Sequence, residues 1–156
     1  MASIGFVGAS GLMGHGMARN LLAKGHAVAL TVHRNRERVA DLLAAGATQS
    51  PGFAELAAGS EIVFMCVTGS PQVEAVVAGP AGLLAGARAG LMIVDCSTAE
   101  PDSTARMREI CAPKGVTYID APLSRTPVEA EAGKLNVMVG AADPDYACLL
   151  YTSRCV

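Results

Sequence analysis

Residues 4–20 constrain the fold more than any other stretch, because a short apolar segment runs directly into a glycine-rich turn and then a helical pattern. Residues 4–7 predict a buried strand, and the turn contains Gly8, Gly11 and Gly14. The start of a helix offers unpaired N–H groups and a partial positive charge, and glycine lets a diphosphate approach the backbone. The spacing GxxGxxG is weak evidence alone, and a turn without a ligand is the alternative. The strand-turn-helix context favours a dinucleotide site.

Strand and helix patterns alternate through the rest of the chain with short connections. Apolar runs predict further strands at residues 27–32, 47–49, 61–67, 91–94, 116–119 and 135–139. Helical patterns lie between them at residues 36–45, 51–58, 72–78 and 101–112. This alternation predicts an α/β fold of the Rossmann type, with a doubly wound, mostly parallel sheet. Only three Tyr and three Phe occur in 156 residues, so small aliphatic side chains must build the core, which suits close helix-on-sheet packing.

Composition and charge argue against several other classes of protein. The net charge of −2 gives no reason to expect a nucleic-acid partner. We find neither a secretory signal nor an apolar run long enough for a membrane span, so we expect no membrane partner. The cysteines lack C-x-x-C spacing and the histidines lack metal-ligand spacing, which predicts no metal site, no disulfide framework and a reducing cytoplasmic location. These residues are Cys66, Cys96, Cys111, Cys148, Cys155, His15, His26 and His33.

The end of the second predicted strand bears on the choice of cofactor. An Asp or Glu there would bind the ribose hydroxyls of NAD and repel the 2′-phosphate of NADP. The sequence instead reads His33, Arg34, Asn35 and Arg36, with no carboxylate before Glu37. Guanidinium and amide groups are suitable donors to a phosphate, so we expect these four residues to contact the cofactor and to favour NADP(H), with NAD(H) possible. The alternative is that Arg34, Arg36 and Arg38 form a solvated helix start.

Four motifs occur in order along nearly the whole chain. They are Met13-Gly14 with Met17-Ala18-Arg19-Asn20-Leu21-Leu22 and Gly25-His26; Cys66-Val67-Thr68; Asp95-Cys96-Ser97-Thr98 with Pro101; and Asp120-Ala121-Pro122-Leu123-Ser124 with Glu131-Ala132-Gly133-Lys134-Leu135 and Met138-Val139-Gly140. On these motifs, residues 4–142 resemble the β-hydroxyacid dehydrogenases, the group that contains 3-hydroxyisobutyrate dehydrogenase and tartronate semialdehyde reductase. More distantly, they resemble the NADP-binding domain of 6-phosphogluconate dehydrogenase.

The resemblance implies a role for each motif. The diphosphate would be held by Gly8, Ser10, Gly11, Leu12, Met13 and Gly14, and Arg34 would face the adenosine ribose. The cofactor path would be lined by Val67, Thr68, Gln72 and Thr98. A small acid substrate would be bound by Ser124, Arg125 and Thr126. The implied reaction is hydride transfer between NADP(H) and a 3-hydroxy acid or its aldehyde-acid partner, with the cofactor supplying the chemistry.

Two departures from the family pattern concern the proposed binding sites. The turn from Gly8 to Gly14 is one residue longer than usual, which we expect to reshape the grip on the diphosphate. The usual Ser-Gly-Gly substrate loop is here Ser124-Arg125-Thr126, and a similar Arg-Thr occurs in the sulfolactaldehyde reductase branch. A guanidinium is permanently charged and can donate two parallel hydrogen bonds to one anionic group. We therefore hypothesise that Arg125 selects a doubly anionic or sulfonated substrate. The alternative is that Arg125 points into solvent.

The family's general acid/base is a lysine on a helix after this domain, and Lys24, Lys114 and Lys134 match no such motif. We therefore expect residues 1–147 to form the cofactor domain, with the catalytic lysine and an all-helical, oligomer-forming domain missing. Residues 148–153 can be encoded by TGTCTCTTATACACATCT, which resembles a transposase sequencing-adaptor end. We expect residues 148–156 to be a non-native read-through tail.

Two rival functions would use the same glycine turn. A short-chain dehydrogenase would need a Tyr-x-x-x-Lys pair, but the residues four positions after Tyr118, Tyr146 and Tyr151 are Pro122, Leu150 and Cys155. That rival is therefore disfavoured. A non-catalytic dinucleotide-binding regulatory module remains the alternative, because it would need the same cofactor site without the chemistry.

Overall fold

The computed structural model describes residues 2–32 and 35–147 and contains a six-stranded sheet in which every pairing is parallel. Its spatial order is β3-β2-β1-β4-β5-β6. The strands are β1 (Ser3–Val7), β2 (Ala27–Thr31), β3 (Thr48–Ser50), β4 (Ile62–Met65), β5 (Met92–Asp95) and β6 (Thr117–Asp120). The order reverses between β1 and β4, which makes the carboxyl ends of these two strands the switch point where such folds bind ligands.

In the described residues, helices α1 to α7 connect or follow these strands. They are α1 (Leu12–Ala23), α2 (Ala40–Ala44), α3 (Phe53–Ala58), α4 (Ser70–Ala78), α5 (Leu83–Gly86), α6 (Pro101–Cys111) and α7 (Pro127–Glu131). Short 3₁₀ helices occupy Arg36–Val39 and Ala112–Lys114. A separate antiparallel pair is formed by β7 (Leu123–Ser124) and β8 (Asn136–Val137).

The two faces of the sheet have separate hydrophobic cores because side chains alternate along each strand. Phe6 and Phe64 point to the α1 side, where Met17 and Leu21 cover them, and the two rings stack with centroids 6.4 Å apart. Val63 and Ile93 point to the opposite face, which the apolar sides of α3 to α6 cover. Both cores consist mainly of aliphatic side chains, as the composition predicted.

The predicted doubly wound parallel fold is confirmed, with three local corrections. The predicted helix at 36–45 divides into the 3₁₀ helix Arg36–Val39 and α2. The predicted strand at 135–139 is reduced to β8, which pairs with β7, and only an isolated bridge from Gly140 to Asp120 reaches the main sheet. Helices α5 and α7 were not predicted. The proposed tail at 148–156 lies outside the described residues.

No helix in the described ranges combines the length and apolarity required to cross a membrane.

Candidate functional site

The glycine turn, residues 8–14, joins β1 to α1 and is closed by direct backbone contacts. Gly8 has φ +93°, and a Cβ placed on it would lie 2.0 Å from the Cys66 carbonyl oxygen. A Cβ on Gly14 would lie 2.3 Å from the Gly8 carbonyl oxygen. That same oxygen accepts a hydrogen bond from the Gly11 N–H at 2.9 Å. Glycine is therefore required at Gly8 and Gly14 for the turn to keep this shape.

Helix α1 presents its amino end at the switch point. Gly11 is its N-cap, and no side chain of the described residues forms a capping hydrogen bond there. The first N–H groups of a helix have no partner within the helix, so those of α1 are available to an anion. Leu12 is 68% exposed at this end, while Ser10 and Met13 are half-buried. The arrangement suits a diphosphate held by the backbone.

The residues predicted for the adenosine side are only partly described. His33 and Arg34 lie outside the described residues. Asn35 is the N-cap of the 3₁₀ helix Arg36–Val39, and Arg36 is exposed within it. Arg38, which sequence reasoning treated only as part of a solvated cluster, reaches the glycine turn and donates from Nη1 to the Ser10 carbonyl oxygen at 3.4 Å. Arg38 therefore brings one basic side chain from the 3₁₀ helix that follows β2 to the glycine turn.

The loops after β4 and β5 are joined by a buried hydrogen-bond network. The Val67 N–H donates to Ser97 Oγ at 2.9 Å, and the Ser97 N–H donates to Asp95 Oδ1 at 2.9 Å. Tyr118, on β6, donates its hydroxyl to Asp95 Oδ2 at 2.6 Å. Burial, and then the charge of Asp95, raise the pKa of Tyr118, so the phenol stays protonated and continues to donate. The network fixes Val67 relative to three neighbouring strands.

Thr68, Gln72 and Thr98 lie on the same two loops as this network. Thr68 and Thr98 are exposed, and Gln72 lies in the first turn of α4. A Cβ on Gly69 would lie 3.8 Å from the Thr98 carbonyl oxygen and 4.0 Å from Gln72 Oε1, so Thr98 and Gln72 flank the same point. The structure therefore brings together the residues predicted to line the cofactor path.

Cys66 contacts the glycine turn through its backbone, and its thiol is not activated. Burial is the largest cause, followed by the nearby charge of Asp95, and together they raise the pKa of Cys66 to about 11. Since the thiolate is the reactive form, Cys66 does not serve as a nucleophile near neutral pH. The position is structural, because the Cys66 N–H also donates to the Val7 carbonyl oxygen at 2.9 Å.

The Ser-Arg-Thr loop, residues 124–126, follows the main sheet and is exposed. Arg125 has φ +92° and takes part in no salt bridge among the described residues. Thr126 is the N-cap of α7, where its hydroxyl accepts from the Val128 N–H at 3.3 Å. Glu129 completes a capping box by accepting from the Thr126 N–H at 3.0 Å. Thr126, predicted to grip substrate, thus also holds the first turn of α7.

Sequence reasoning missed the residues that support the loops rather than line the site. Asp95 and Tyr118 were not singled out as partners, because they are 23 residues apart and lie on neighbouring strands. The capping box of α7 did carry a sequence signal, since Thr126 is followed three residues later by Glu129, with Pro127 at the first helical position.

A cavity of about 660 Å³ opens at the opposite, amino edge of the sheet, where its lining includes Ser3, His26, Glu61 and Arg88. None of the residues predicted for binding lines it. Open α/β sheets bind their ligands at the carboxyl ends of the strands, so we place the candidate site there. A smaller cavity of about 250 Å³ adjoins that site and is lined in part by Ser10, Gly11, His15 and Arg38.

The fold order and the glycine turn together define a Rossmann-type nucleotide-binding domain. The family described as the NAD binding domain of 6-phosphogluconate dehydrogenase matches residues 3–150. The chain belongs to this family, and the predicted resemblance is confirmed.

Individual relatives give more detail. The chain is 41% identical over 140 residues to 2-(hydroxymethyl)glutarate dehydrogenase of Eubacterium barkeri, covering 90% of this chain and 46% of that protein. It is 34% identical over 147 residues to 3-hydroxyisobutyrate dehydrogenase of Pseudomonas aeruginosa, covering 94% and 49%. It is also 34% identical over 140 residues to cytokine-like nuclear factor N-PAC of Xenopus tropicalis, covering 90% and 26%.

Among solved structures, one described as Psf3 in complex with NADP+ and 2-OPP superposes with a TM-score of 0.87 at 32% identity, covering 97% of this chain and 54% of that one. The chain thus spans about half the length of its dehydrogenase relatives.

Proposed function

We propose that this chain is the NADP(H)-binding domain of an oxidoreductase that transfers a hydride between NADP(H) and a 3-hydroxy acid or its aldehyde-acid partner. The observation that carries the proposal is the amino end of α1, which no described side chain caps and which the backbone contacts of Gly8 and Gly14 bring against β1 and β4. Such a site favours a diphosphate through N–H groups and the helix dipole. Two relatives named as dehydrogenases support the reaction class.

The preference for NADP(H) is supported by charge at the end of β2. Arg36 and Arg38 are exposed there, and Arg38 reaches the glycine turn. Asp41, a nearby carboxylate, is engaged by His15 at 3.0 Å. Guanidinium groups bind a 2′-phosphate well, whereas a carboxylate in this place would favour NAD.

Within this proposal, bound NADP(H) supplies the hydride chemistry, and the chain's residues bind and orient it. The backbone of residues 8–14 holds the diphosphate, while Val67, Thr68, Gln72 and Thr98 line the path toward the substrate. Lys24 and Lys114 lie at the far ends of α1 and α6, and Lys134 follows α7. We assign none of them the acid/base role, and we expect cofactor binding with little or no turnover by the 156-residue chain. We further propose a cytoplasmic location and a homo-oligomeric whole protein.

The test is a titration of the purified chain with NADPH and with NADH, followed by thermal unfolding. A ligand at about 100 times its Kd stabilises a folded protein by roughly 2.7 kcal/mol, which gives a clear shift in Tm. We expect the shift with NADPH to exceed that with NADH. Arg36→Ala should weaken NADPH binding and leave NADH binding unchanged, whereas Arg88→Ala, at the amino edge, should change neither. Arg38→Ala also removes a contact with the glycine turn, so it should weaken the binding of both cofactors, and that of NADPH more.

The outcomes separate the parts of the proposal. A stronger response to NADH would remove the NADP(H) assignment and keep the dinucleotide site. No response to either cofactor would contradict the site itself. Robust turnover of a hydroxy acid by the purified chain would show that the acid/base group lies within it.

A second candidate function is a dinucleotide-binding module without chemistry, and the similarity to a relative that is named as a nuclear factor rather than as a dehydrogenase supports it. Both candidates require the cofactor site. They differ in whether the whole protein that carries this domain oxidises a hydroxy acid, and steady-state assays of that protein distinguish them.

A further inference from the structure

Helix α7 packs against α1 at very short range. A Cβ on Gly16 would lie 2.5 Å from both the Ala130 carbonyl carbon and the Glu131 nitrogen, so the backbones approach as closely as glycine allows. Asn20 Nδ2 donates to the Gly16 carbonyl oxygen at 2.7 Å and to the Ala130 carbonyl oxygen at 3.0 Å. The helix that follows the Ser-Arg-Thr loop is thus docked on the helix that follows the glycine turn.

His15 joins this contact to a third element. Its Nδ1 lies 2.7 Å from Glu131 Oε1 on α7, and its Nε2 lies 3.0 Å from Asp41 Oδ2 on α2. Two carboxylates accept hydrogen bonds from both ring nitrogens only when both nitrogens carry hydrogen, which requires the imidazolium. In the neutral ring, one nitrogen would present a lone pair to a carboxylate. The bridge is therefore complete only in the protonated form.

Two guanidinium groups also lie near His15, and their positive charges oppose the imidazolium that the two carboxylates favour. Arg19 forms a salt bridge with Glu131, in which Nη2 lies 3.0 Å from Oε2. The same Nη2 donates a hydrogen bond to the Glu131 main-chain carbonyl oxygen at 2.9 Å. Arg38 lines the same cavity of about 250 Å³ as His15. Asp41 and Glu131 face the ring directly, so two carboxylates and two guanidiniums form a mixed cluster with the imidazole at its centre.

The geometry sets the direction of the pKa shift at His15. Partial burial lowers the pKa of His15, but hydrogen bonds with Glu131 and Asp41, together with their charges, more than offset it and raise the pKa above 6.5. The hydrogen bond from His15 lowers the pKa of Asp41. The stabilisation by His15 is therefore complete below its unfolded pKa and is lost as the pH rises through its raised folded pKa. The Asp41 contribution is lost only in acid, as the pH falls through its lowered pKa.

We propose that His15 is a positioning residue that fixes the Ser-Arg-Thr loop relative to the glycine turn by holding α7 against α1 and α2. The assignment of the loop to the substrate and of the turn to the cofactor rests on the proposed function. The His15 bridge does not depend on that assignment. Protonation of His15 closes the bridge, and deprotonation releases Glu131 or Asp41 and loosens α7.

A bound diphosphate would strengthen this coupling. His15 lies in the first turns of α1, beside the end that we assign to the anion. A nearby anion favours the imidazolium, so cofactor binding should raise the titration midpoint of His15. By linkage, the factor by which the cofactor tightens proton binding at His15 equals the factor by which protonation tightens cofactor binding. The cofactor should therefore bind more tightly below that midpoint.

The test follows the His15 ring by NMR and α7 by amide hydrogen exchange in the purified chain. Ala130 and Ala132 report on α7, because their N–H groups donate to Thr126 and Val128 carbonyl oxygens at 3.1 Å. We expect His15 to titrate above 6.5 and its midpoint to fall in Glu131→Gln and Asp41→Asn. The protection of Ala130 and Ala132 should fall roughly threefold to tenfold in His15→Gln, and in the unaltered chain as the pH passes the midpoint. His26→Gln, a histidine at the amino edge, should leave α7 unchanged.

A midpoint at or below 6.5, or α7 protection unchanged in His15→Gln, would overturn the proposal. If His15→Gln does not fold, Glu131→Gln gives the same comparison while keeping the ring. None of these readouts needs a cofactor, so a failed NADPH titration together with a normal His15 result removes the proposed function and keeps the bridge. A matching rise in NADPH affinity below the midpoint supports both.

Discussion

The glycine turn and the Ser-Arg-Thr loop lie at the same side of the fold but are held by different physical means. The turn is fixed by backbone contacts, such as the one between Gly8 and the Cys66 carbonyl oxygen, and it leads into the twelve-residue helix α1. The loop is exposed and is held by side chains, chiefly the capping box of Thr126 and the bridge at Glu131. A diphosphate is common to every dinucleotide, whereas a substrate differs between relatives. Under the proposed function, in which the turn binds the diphosphate and the loop binds the substrate, a rigid backbone suits the turn and adjustable side chains suit the loop.

The most direct test of how the backbone holds the glycine turn compares two glycines that have the same φ angle. Gly8 and Gly90 both have φ +93°, but a Cβ on Gly90 meets nothing within 4 Å. We expect Gly8→Ala to lower the free energy of unfolding by about 3 kcal/mol or more, because backbone strain and a clash with the Cys66 carbonyl add. Gly90→Ala should cost only about 1 kcal/mol for the left-handed conformation. Urea unfolding measures both losses.

Equal losses of unfolding free energy in the two variants would contradict this prediction. They would show that only the φ angle matters and that the turn relaxes around a methyl group. A cofactor titration adds a second readout. We expect Gly8→Ala to lose NADPH binding and Gly90→Ala to retain it.

We expect an intermediate loss of stability at the N-cap of α7, where side chains hold the Ser-Arg-Thr loop. Thr126→Ala removes the capping hydroxyl and should cost about 1 kcal/mol, while Thr126→Ser keeps the hydroxyl and should cost much less. Hydrogen bonds from Thr126 lower the pKa of Glu129. The contribution of Glu129 is therefore present above its unfolded pKa and is lost as the pH falls through the lowered folded pKa. Urea unfolding at two pH values measures both effects, and an equal loss in the Ser variant would rule out the cap.

Sequence reasoning succeeded where the signal is local. Residues 4–20 carry the strand, the turn and the helix start in consecutive positions, so β1, the glycine turn and α1 were all predicted. The strands β4 and β5 were predicted because residues 62–65 and 91–94 are continuous apolar runs. The short α5 has only four residues, of which Leu83 and Leu84 are buried, and such a segment has too few turns to show helical periodicity.

The supporting contacts of the site could not be predicted, because they join residues far apart in the chain. His15 and Glu131 are separated by 116 positions, and neither has an unusual neighbour in sequence. The bridge depends on α7 lying across α1, a result of packing rather than of pattern. The Ser-Arg-Thr loop was located through a family resemblance, but its positive φ at Arg125 is visible only in the structure.

The smallest expected effect on stability, and the one of opposite sign, concerns Arg125. Its φ of +92° is strained for a residue with a Cβ, and the family's usual loop has glycine at this position. Arg125→Gly should stabilise the chain by about 0.5 kcal/mol, because relief of strain exceeds the entropy that glycine adds to the unfolded chain. Arg125→Ala keeps the strain and should leave stability nearly unchanged. Urea unfolding measures this pair.

Both Arg125 variants remove the guanidinium, so together they separate strain from specificity. If Arg125 selects a doubly anionic or sulfonated acid, both should lower the preference for such substrates over singly charged acids in the whole protein that carries this domain. An unchanged ranking in both variants would leave the strain without a functional role. A changed ranking in Arg125→Gly alone would assign specificity to loop geometry rather than to charge, and would make this loop, like the glycine turn, a backbone-defined site.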